Sequence, residues 1–361
     1  MKKIIFVFFL ILFIPFTAYA YRETDDTLRE LSGEIDEFDF YGFSEELRAG
    51  GGIDRVGGLT KKVTELFGMR LKETAREVGI VLVPVILFGV LSSLKTENEG
   101  GTVRAAYLGC FGFICVVLTG IFSKAVELVE DTAATLDIVH KSLIPVLFAN
   151  LTAMGSITRA VTLKPVAIAA SQIIMQVING YILPFVMSGF GLILAESITG
   201  YKGLKKFGEF ILKAAKWALA FVMFLFITVL SAQSLMAGSI DSAAVKSGKF
   251  AVSRLIPVVG SAVSDGMETL SASVMVIKNS AGIAGIAGVG LITVYPLIKI
   301  YACALMFHII AAFCFPFSED RFGDVFSAAG NTMAIMGAVI ISMSFVFIIT
   351  AAIIINADPA I

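Results

Sequence analysis

Apolar segments of membrane-spanning length follow one another along most of this chain, and they constrain its fold more than any other feature. A helix needs about 20 apolar residues to cross the hydrocarbon core of a bilayer. The chain is 57% hydrophobic and 16% charged, with a mean hydropathy of +0.88. The sequence therefore predicts an all-α, polytopic membrane protein. The apolar segments lie at about 79–94, 105–122, 143–157, 165–198, 215–236, 281–316 and 327–356.

Two of these segments are too long for one ordinary span. Asn179-Gly180 offers a turn inside the segment 165–198, and Pro296 with Lys299 suggests a break inside the segment 281–316. Dividing these long segments gives a prediction of seven to nine transmembrane helices.

The N-terminus has the pattern of a cleavable signal peptide at residues 1–20. Lys2 and Lys3 precede an apolar run from Ile4 to Ile14, and Ala18-Tyr19-Ala20 supplies a small-residue cleavage site. The alternative is an uncleaved first span, for which this run of 11 residues is short.

Charge indicates how the chain is oriented in the membrane. Residues 21–46 hold ten acidic side chains against two arginines, which suits a short acidic extracytoplasmic segment within residues 21–78. Five predicted spans then lead to a basic cluster, which the positive-inside rule assigns to the cytoplasm. The same count places residues 237–280 of the multi-pass domain, 79–361, outside the cytoplasm. The basic cluster contains Lys202, Lys205, Lys206, Lys213 and Lys216.

The stretch from Val252 to Ile277 has two faces. Its apolar residues recur at steps of three and four, which indicates an amphipathic helical segment within 240–280. Such a helix either rests on the membrane surface or turns its polar side to a partner or an aqueous channel. The candidate partner- or channel-facing residues are Arg254, Ser261, Asp265 and Glu268.

A second polar pattern lies within a predicted span. Gln172, Gln176 and Asn179 are spaced by four and three residues, so one helical face carries all three amides. Such a face either lines a polar path or forms hydrogen bonds between helices.

The sequence contains none of the common catalytic patterns. It has no phosphate-binding loop and no H-E-x-x-H zinc motif, and His140 and His308 are far apart. The four cysteines lack metal-site spacing, and a net charge of −1 does not favour nucleic-acid binding. We therefore expect no enzyme activity and no catalytic, cofactor-binding or metal-binding residues. Gly282, Gly285, Gly288 and Gly290 are expected to serve close helix packing.

The chain resembles the stage III sporulation protein AE family of endospore-forming bacteria along nearly its whole length. The most specific part begins at Arg254-Leu255-Ile256-Pro257-Val258-Val259-Gly260-Ser261. Ser264-Asp265-Gly266 and Ile277-Lys278-Asn279-Ser280-Ala281-Gly282 follow it.

The resemblance implies a non-enzymatic multi-pass subunit of a channel or secretion-like complex that links mother cell and forespore. The expected location is the mother-cell membrane around the forespore, with the N-terminal segment outside the cytoplasm. The implied partners are other stage III sporulation membrane proteins, including ring-forming subunits, and a cytoplasmic ATPase. No catalytic residues carry over from the family. The alternative function is a stand-alone secondary transporter of small solutes, which would favour repeated halves with interrupted helices at matching positions.

Overall fold

The computed structural model describes residues 22–33, 35, 39–49, 76, 78–93, 100–154, 156–255, 260–317 and 320–356, and this part of the chain contains helices and no strand. The predicted signal peptide, residues 1–20, lies outside these residues. A π-helical turn, Ile178–Ile182, joins two of the helices. The helices are α1 (22–33), α2 (Phe40–Arg48), α3 (Leu82–Ser93), α4 (Gly100–Ala153), α5 (Ile157–Val177), α6 (Leu183–Thr199), α7 (Lys202–Leu255), α8 (Gly260–Phe317) and α9 (Asp320–Ile355).

Within the described residues, five helical rods are long and apolar enough to cross a membrane. They are α4, the continuous rod of α5 and α6, α7, α8 and α9. The all-α membrane architecture agrees with the sequence prediction, whereas the count of seven to nine spans is not confirmed. The difference arises because segments expected to be separate are joined into single helices.

The predicted break between residues 105–122 and 143–157 is wrong. Residues 105–122 and 143–153 belong to α4, a single helix of 54 residues. The charged stretch between them contains neither glycine nor proline, and its buried and exposed positions follow one helical period. The charges therefore lie on an outer face of the helix and do not interrupt it.

The predicted turn at Asn179-Gly180 is also wrong. The chain continues from α5 into α6 through the π-turn, which widens the helix without reversing it. Among the described glycines, only Gly200 has a left-handed backbone (φ 72°), and there α6 ends and the chain turns into α7. Gly180 therefore does not supply the backbone conformation that a reversal would need.

The predicted break at Pro296 is not observed either, because α8 runs unbroken for 58 residues. Proline removes one backbone donor, but a helix in a packed bundle can keep its course when neighbouring groups compensate. Pro296 is buried, which is consistent with support from the surrounding helices.

The bundle has two distinct ends. At the first, which we call the lysine end, Lys205 near the start of α7 forms an ion pair with Asp324 near the start of α9. At the second, the hub end, Arg48 of α2 donates a hydrogen bond to Ser280 of α8. Because α9 rises about 1.5 Å per residue from Asp324 to Ile355, the two ends are roughly 45 Å apart.

Helix α4 connects the two ends. The Phe111 ring lies 6.2 Å from that of Phe322 at the lysine end, and Asn150 hydrogen-bonds to Thr24 of α1 at the hub end. The N-terminal helices therefore lie at the opposite end from the start of α4, and the chain changes ends between Arg48 and Phe111. With α4 and the α5–α6 rod, it passes between the ends three times before the lysine cluster, and not five times as the sequence predicted.

Candidate functional site

One face of α4 carries charges in the middle of the bundle. Its exposed and partly exposed residues between 124 and 141 recur at steps of three and four, so they form a single stripe. The stripe contains four carboxylates and two lysines: Lys124, Glu127, Glu130, Asp131, Asp137 and Lys141.

Aromatic contacts fix the depth of this stripe. The ring of Phe122 stacks on Phe190 at 4.1 Å and lies 6.2 Å from Phe307, toward the lysine end. His140 meets the ring of Phe347 edge-on at 5.3 Å, toward the hub end. Asp131 lies midway between Phe122 and His140, about 13 Å from each along the helix. The stripe therefore lies beside the part of the bundle between Phe307 of α8 and Phe347 of α9, which belongs to two of the rods that are apolar enough to cross a membrane.

The three amides predicted to share a face lie beside this stripe. Gln172 and Gln176 of α5 and Asn179 of the π-turn are exposed, and none of them hydrogen-bonds to another residue that the structure describes. Gln172 meets α4 directly, in a cleft with Asp137 and Lys141. We call the α4 stripe together with these three amides the polar seam.

The cleft between α4 and α5 contains a buried histidine. Lys141 Nζ lies 2.5 Å from Asp137 Oδ2, and both residues line the cleft together with Ser171 and Gln172. His140 lines it as well, with 5% of its surface exposed, and neither ring nitrogen has a hydrogen-bond partner among the described residues. The cleft thus brings an acid, a base, a hydroxyl and an amide around an imidazole that has unused hydrogen-bonding capacity.

Two prolines interrupt backbone hydrogen bonding along the seam. Pro145 of α4 lines the cleft that contains His140, and Pro165 of α5 lines a neighbouring cleft with Lys164. A proline within a helix leaves the carbonyl four residues earlier without its usual donor. The carbonyls of Lys141 and Val161 thereby become acceptors beside the two clefts.

Lipid is an unfavourable environment for this seam. A charged side chain at the bilayer centre costs about 2.5–3.5 kcal/mol even on the scales that give low values. If Asp137 and Lys141 neutralise each other, the carboxylates of Glu127, Glu130 and Asp131 would still cost roughly 7.5–10.5 kcal/mol together. That cost is comparable to the whole stability of a typical domain. The seam is therefore suited to contact with water or with another protein.

The exposed face of α7 shows the contrasting case. Trp217, Phe224, Leu235 and Met236 expose 79%, 63%, 77% and 70% of their surface, respectively. These large apolar side chains suit contact with lipid chains. The bundle thus has one surface fit for lipid and a second, at the same depth, that is not.

A separate polar cluster joins the N-terminal helices to the hub end. Arg48 Nη1 lies 2.8 Å from Asp25 Oδ1, with each side chain 14% exposed, and Arg48 Nε donates to Ser280 Oγ at 3.0 Å. Nearby, the amide of Asn150 donates to the hydroxyl of Thr24 at 3.0 Å, and both residues are buried. Helices α1 and α2 are therefore packed into the bundle by long-range contacts.

The candidate residues of the two-faced stretch lie on two helices. Arg254 belongs to the last turn of α7, which ends at Leu255, and Ser261, Asp265 and Glu268 belong to the start of α8. Their side chains lie outside the described part of the structure, as does the backbone of residues 256–259. Their predicted roles stay predictions.

Sequence reasoning missed the charged face of α4 because residues 123–142 were taken to separate two spans. Two signals could have revealed it. No glycine or proline occurs between Gly120 and Pro145, and the charges recur with helical spacing. For Arg48 and Asp25 no such signal exists, since their partners and neighbours come from distant parts of the chain.

Comparison with known proteins identifies the family. The family model described as Stage III sporulation protein AE matches residues 38–358, which is most of the chain. The chain belongs to the stage III sporulation protein AE family. It is also 22% identical over 281 residues to Stage III sporulation protein AE of Bacillus subtilis (strain 168), covering 78% of this chain and 70% of that protein. No solved structure gives a significant match.

Residues 277–282, part of the sequence on which the resemblance to the family was based, lie at the hub end of the chain. Lys278 is fully buried, and its ammonium donates to the carbonyl of Ile355 in the last turn of α9. A Cβ added to Gly282 would lie 2.6 Å from Cδ1 of Ile355, so the Ile355 side chain would have to shift to admit a larger residue. Together with Ser280, these residues join three helices, which gives the motif a structural role.

Proposed function

We propose that this chain is a non-enzymatic membrane subunit of a trans-envelope, secretion-like channel complex that links mother cell and forespore during endospore formation. Family membership over residues 38–358 carries the sporulation role. The bundle of long apolar helices supports a place in the membrane, and the polar seam supports contact with water or other subunits within it.

The orientation that we propose has the lysine end in the cytoplasm of the mother cell and the hub end outside it. Clustered lysines favour the cytoplasmic side of a membrane. The acidic N-terminal helices α1 and α2 lie at the hub end, which suits the extracytoplasmic side. This arrangement leaves the lysine end accessible to a cytoplasmic ATPase and the hub end to membrane partners in the space between the two cells.

The hub end also carries long helical extensions. Val274 of α8 packs beside Met154 at this end, and α8 begins 14 residues earlier. Helix α7 continues to Leu255, 19 residues beyond Met236, a distance of about 28 Å along a helix. We propose that these extensions, which hold Arg254, Ser261, Asp265 and Glu268, contact ring-forming subunits outside the cytoplasm.

Reversing the charge of the extension is expected to block sporulation. In an Asp265→Lys, Glu268→Lys variant, like charges would face partner groups that suit carboxylates, and such juxtaposition costs several kcal/mol in an interface. The number of heat-resistant spores should fall at least about 100-fold, while immunoblots of membrane fractions show an unchanged amount of protein.

The matched control is Glu209→Lys, which reverses an exposed charge near the lysine end of α7. This variant should sporulate normally. Normal spore counts for the Asp265→Lys, Glu268→Lys variant would exclude the proposed contact, and normal sporulation after deletion of the whole gene would exclude the function itself.

The structure gives less support to a stand-alone transporter. Such proteins place interrupted helices at corresponding positions of two repeats. The α5–α6 rod contains the π-turn, but α8 runs through Pro296 without interruption. Solute uptake by the purified chain in liposomes would nevertheless favour a transporter over an assembly subunit.

A further inference from the structure

We propose that the polar seam lines an aqueous path through the membrane and that its carboxylates attract small hydrated cations into this path. The inference rests on the proposed function, because further chains of the complex must close the path around an outer surface of the bundle. The inference extends the proposed function by naming the residues that meet the water and the kind of ion that the path favours.

The cleft beside the seam supports the presence of water. His140 is 95% buried there, and neither of its ring nitrogens has a partner in the described part of the chain. Asp137, Lys141 and Gln172 surround the same cleft, so water that entered it would meet several donors and acceptors. The polar groups that line the cleft suit water or polar partners, whereas lipid chains offer them no hydrogen bonds.

The backbone beside the polar seam also supports the presence of water there. Pro145, Pro165 and the π-turn lie in or next to the seam, and all three disturb regular helical hydrogen bonding. Within a membrane, such disturbed helical backbone is tolerated where neighbouring helices, hydroxyl side chains or ordered water satisfy the freed groups. Gln176 and Asn179 are exposed at this place, so protein does not cover the seam within the described chain.

The charges determine the preferred ion. Glu127, Glu130 and Asp131 lie within about 6 Å of one another along the helix axis, with Asp137 farther toward the hub end. Carboxylates that face a narrow aqueous passage raise the local concentration of cations and exclude anions. Lys124 and Lys141 lie at the two limits of the stripe and leave its centre acidic.

Thiol labelling in sporulating cells tests the proposal on the full complex. Ala134 is exposed between the carboxylates, and Ala220 is exposed on the apolar face of α7 at nearly the same depth. Single Ala134→Cys and Ala220→Cys variants are made in a chain that still supports sporulation after its native cysteines are replaced by alanine. The probes are two membrane-impermeant methanethiosulfonates, one with a trimethylammonium group and one with a sulfonate group. The native cysteines are Cys110, Cys115, Cys303 and Cys314.

We expect the trimethylammonium reagent to label Ala134→Cys at least about 10-fold faster than Ala220→Cys, because only the former faces water. At Ala134→Cys, the ratio of its rate to that of the sulfonate reagent should exceed the ratio of the two reagents with a free thiol in solution by about 10-fold, in the range by which charged clefts concentrate counter-ions. Adding Glu130→Gln and Asp131→Asn should bring the ratio of the two rates close to that of the reagents with a free thiol in solution.

Labelling of Ala134→Cys as slow as that of Ala220→Cys would overturn the aqueous path and would place lipid or a tightly packed partner on the seam. Fast labelling in which the ratio of the two rates equals that of the reagents with a free thiol in solution would overturn the cation selectivity. In both cases the test uses cells whose cysteine-free chain forms spores. Failure of the seam is therefore distinguishable from failure of the sporulation function.

Discussion

Replacing Gly208 by leucine is expected to lower the free energy of unfolding by about 3 kcal/mol or more, since overpacking costs of 1–3 kcal/mol are typical where side chains can adjust. Here the obstacle is backbone. A Cβ at Gly208 would lie 2.6 Å from the carbonyl oxygen of Gly189 and 2.8 Å from Cγ1 of Ile193. Helices α6 and α7 cross at these two glycines, so a side chain must force them apart. Unfolding of the purified protein by SDS in mixed micelles measures the loss.

Gly191→Leu is the matched control for this substitution. Gly191 lies two residues from Gly189 on α6, is exposed, and no described atom is within 4 Å of the position where its Cβ would be added. Leucine there should leave the protein unchanged or stabilise it by up to about 0.7 kcal/mol through its better helix propensity. Equal losses for the Gly208→Leu and Gly191→Leu variants would mean that the close crossing of α6 and α7 does not exist.

Replacing Arg48 by methionine is expected to destabilise the attachment of α1 and α2 by about 3 kcal/mol. The substitution removes the partner of the Asp25 carboxylate, and an uncompensated charge in a largely buried site costs 3–5 kcal/mol. It also removes the donor that binds Ser280. Limited proteolysis of the folded protein in detergent measures the effect as faster cleavage within residues 22–48.

Two further variants separate the contribution of this pair from other causes. Asp25→Asn combined with Arg48→Met removes the orphaned charge and should recover much of the loss. Arg22→Met breaks an ion pair with Asp26 whose side chains are 84% and 65% exposed, and it should change the stability by less than about 1 kcal/mol. If Arg48→Met behaves like Arg22→Met, the buried pair does not hold the N-terminal helices.

The membrane character and the helical class could be predicted from the sequence because apolar length and low charge report directly on burial in lipid. The boundaries of the helices could not be predicted from the sequence, and α4 illustrates the reason. Charged residues between two apolar segments were interpreted as a loop, but helix formation depends on backbone propensity and side-chain periodicity as well as on polarity. Residues 123–142 satisfy both helical criteria, so α4 continues through them with its charges outward.

Residues that usually interrupt helices led to the same error, a predicted break where the helix continues. Asn179-Gly180 and Pro296 were expected to end helices, as they do in isolated segments. In the bundle, neighbouring helices stabilise the rods that contain them, and Pro296 is buried against those neighbours. Local preference is thus overridden where tertiary contacts are dense. The position of Gln172 in one cleft with Asp137 could not be predicted from helical spacing, because it depends on how two helices pack.

The contact between Arg48 and Ser280 has a consequence for the synthesis of the chain. The two residues are 232 positions apart, and Lys278 binds the carbonyl of Ile355 near the C-terminus. Thr24 can bind Asn150 as soon as α4 has been synthesised, whereas Arg48 must wait until α8 supplies Ser280. The attachment of α1 and α2 to the hub end is therefore completed in two steps, which are separated by the synthesis of α5, α6 and α7.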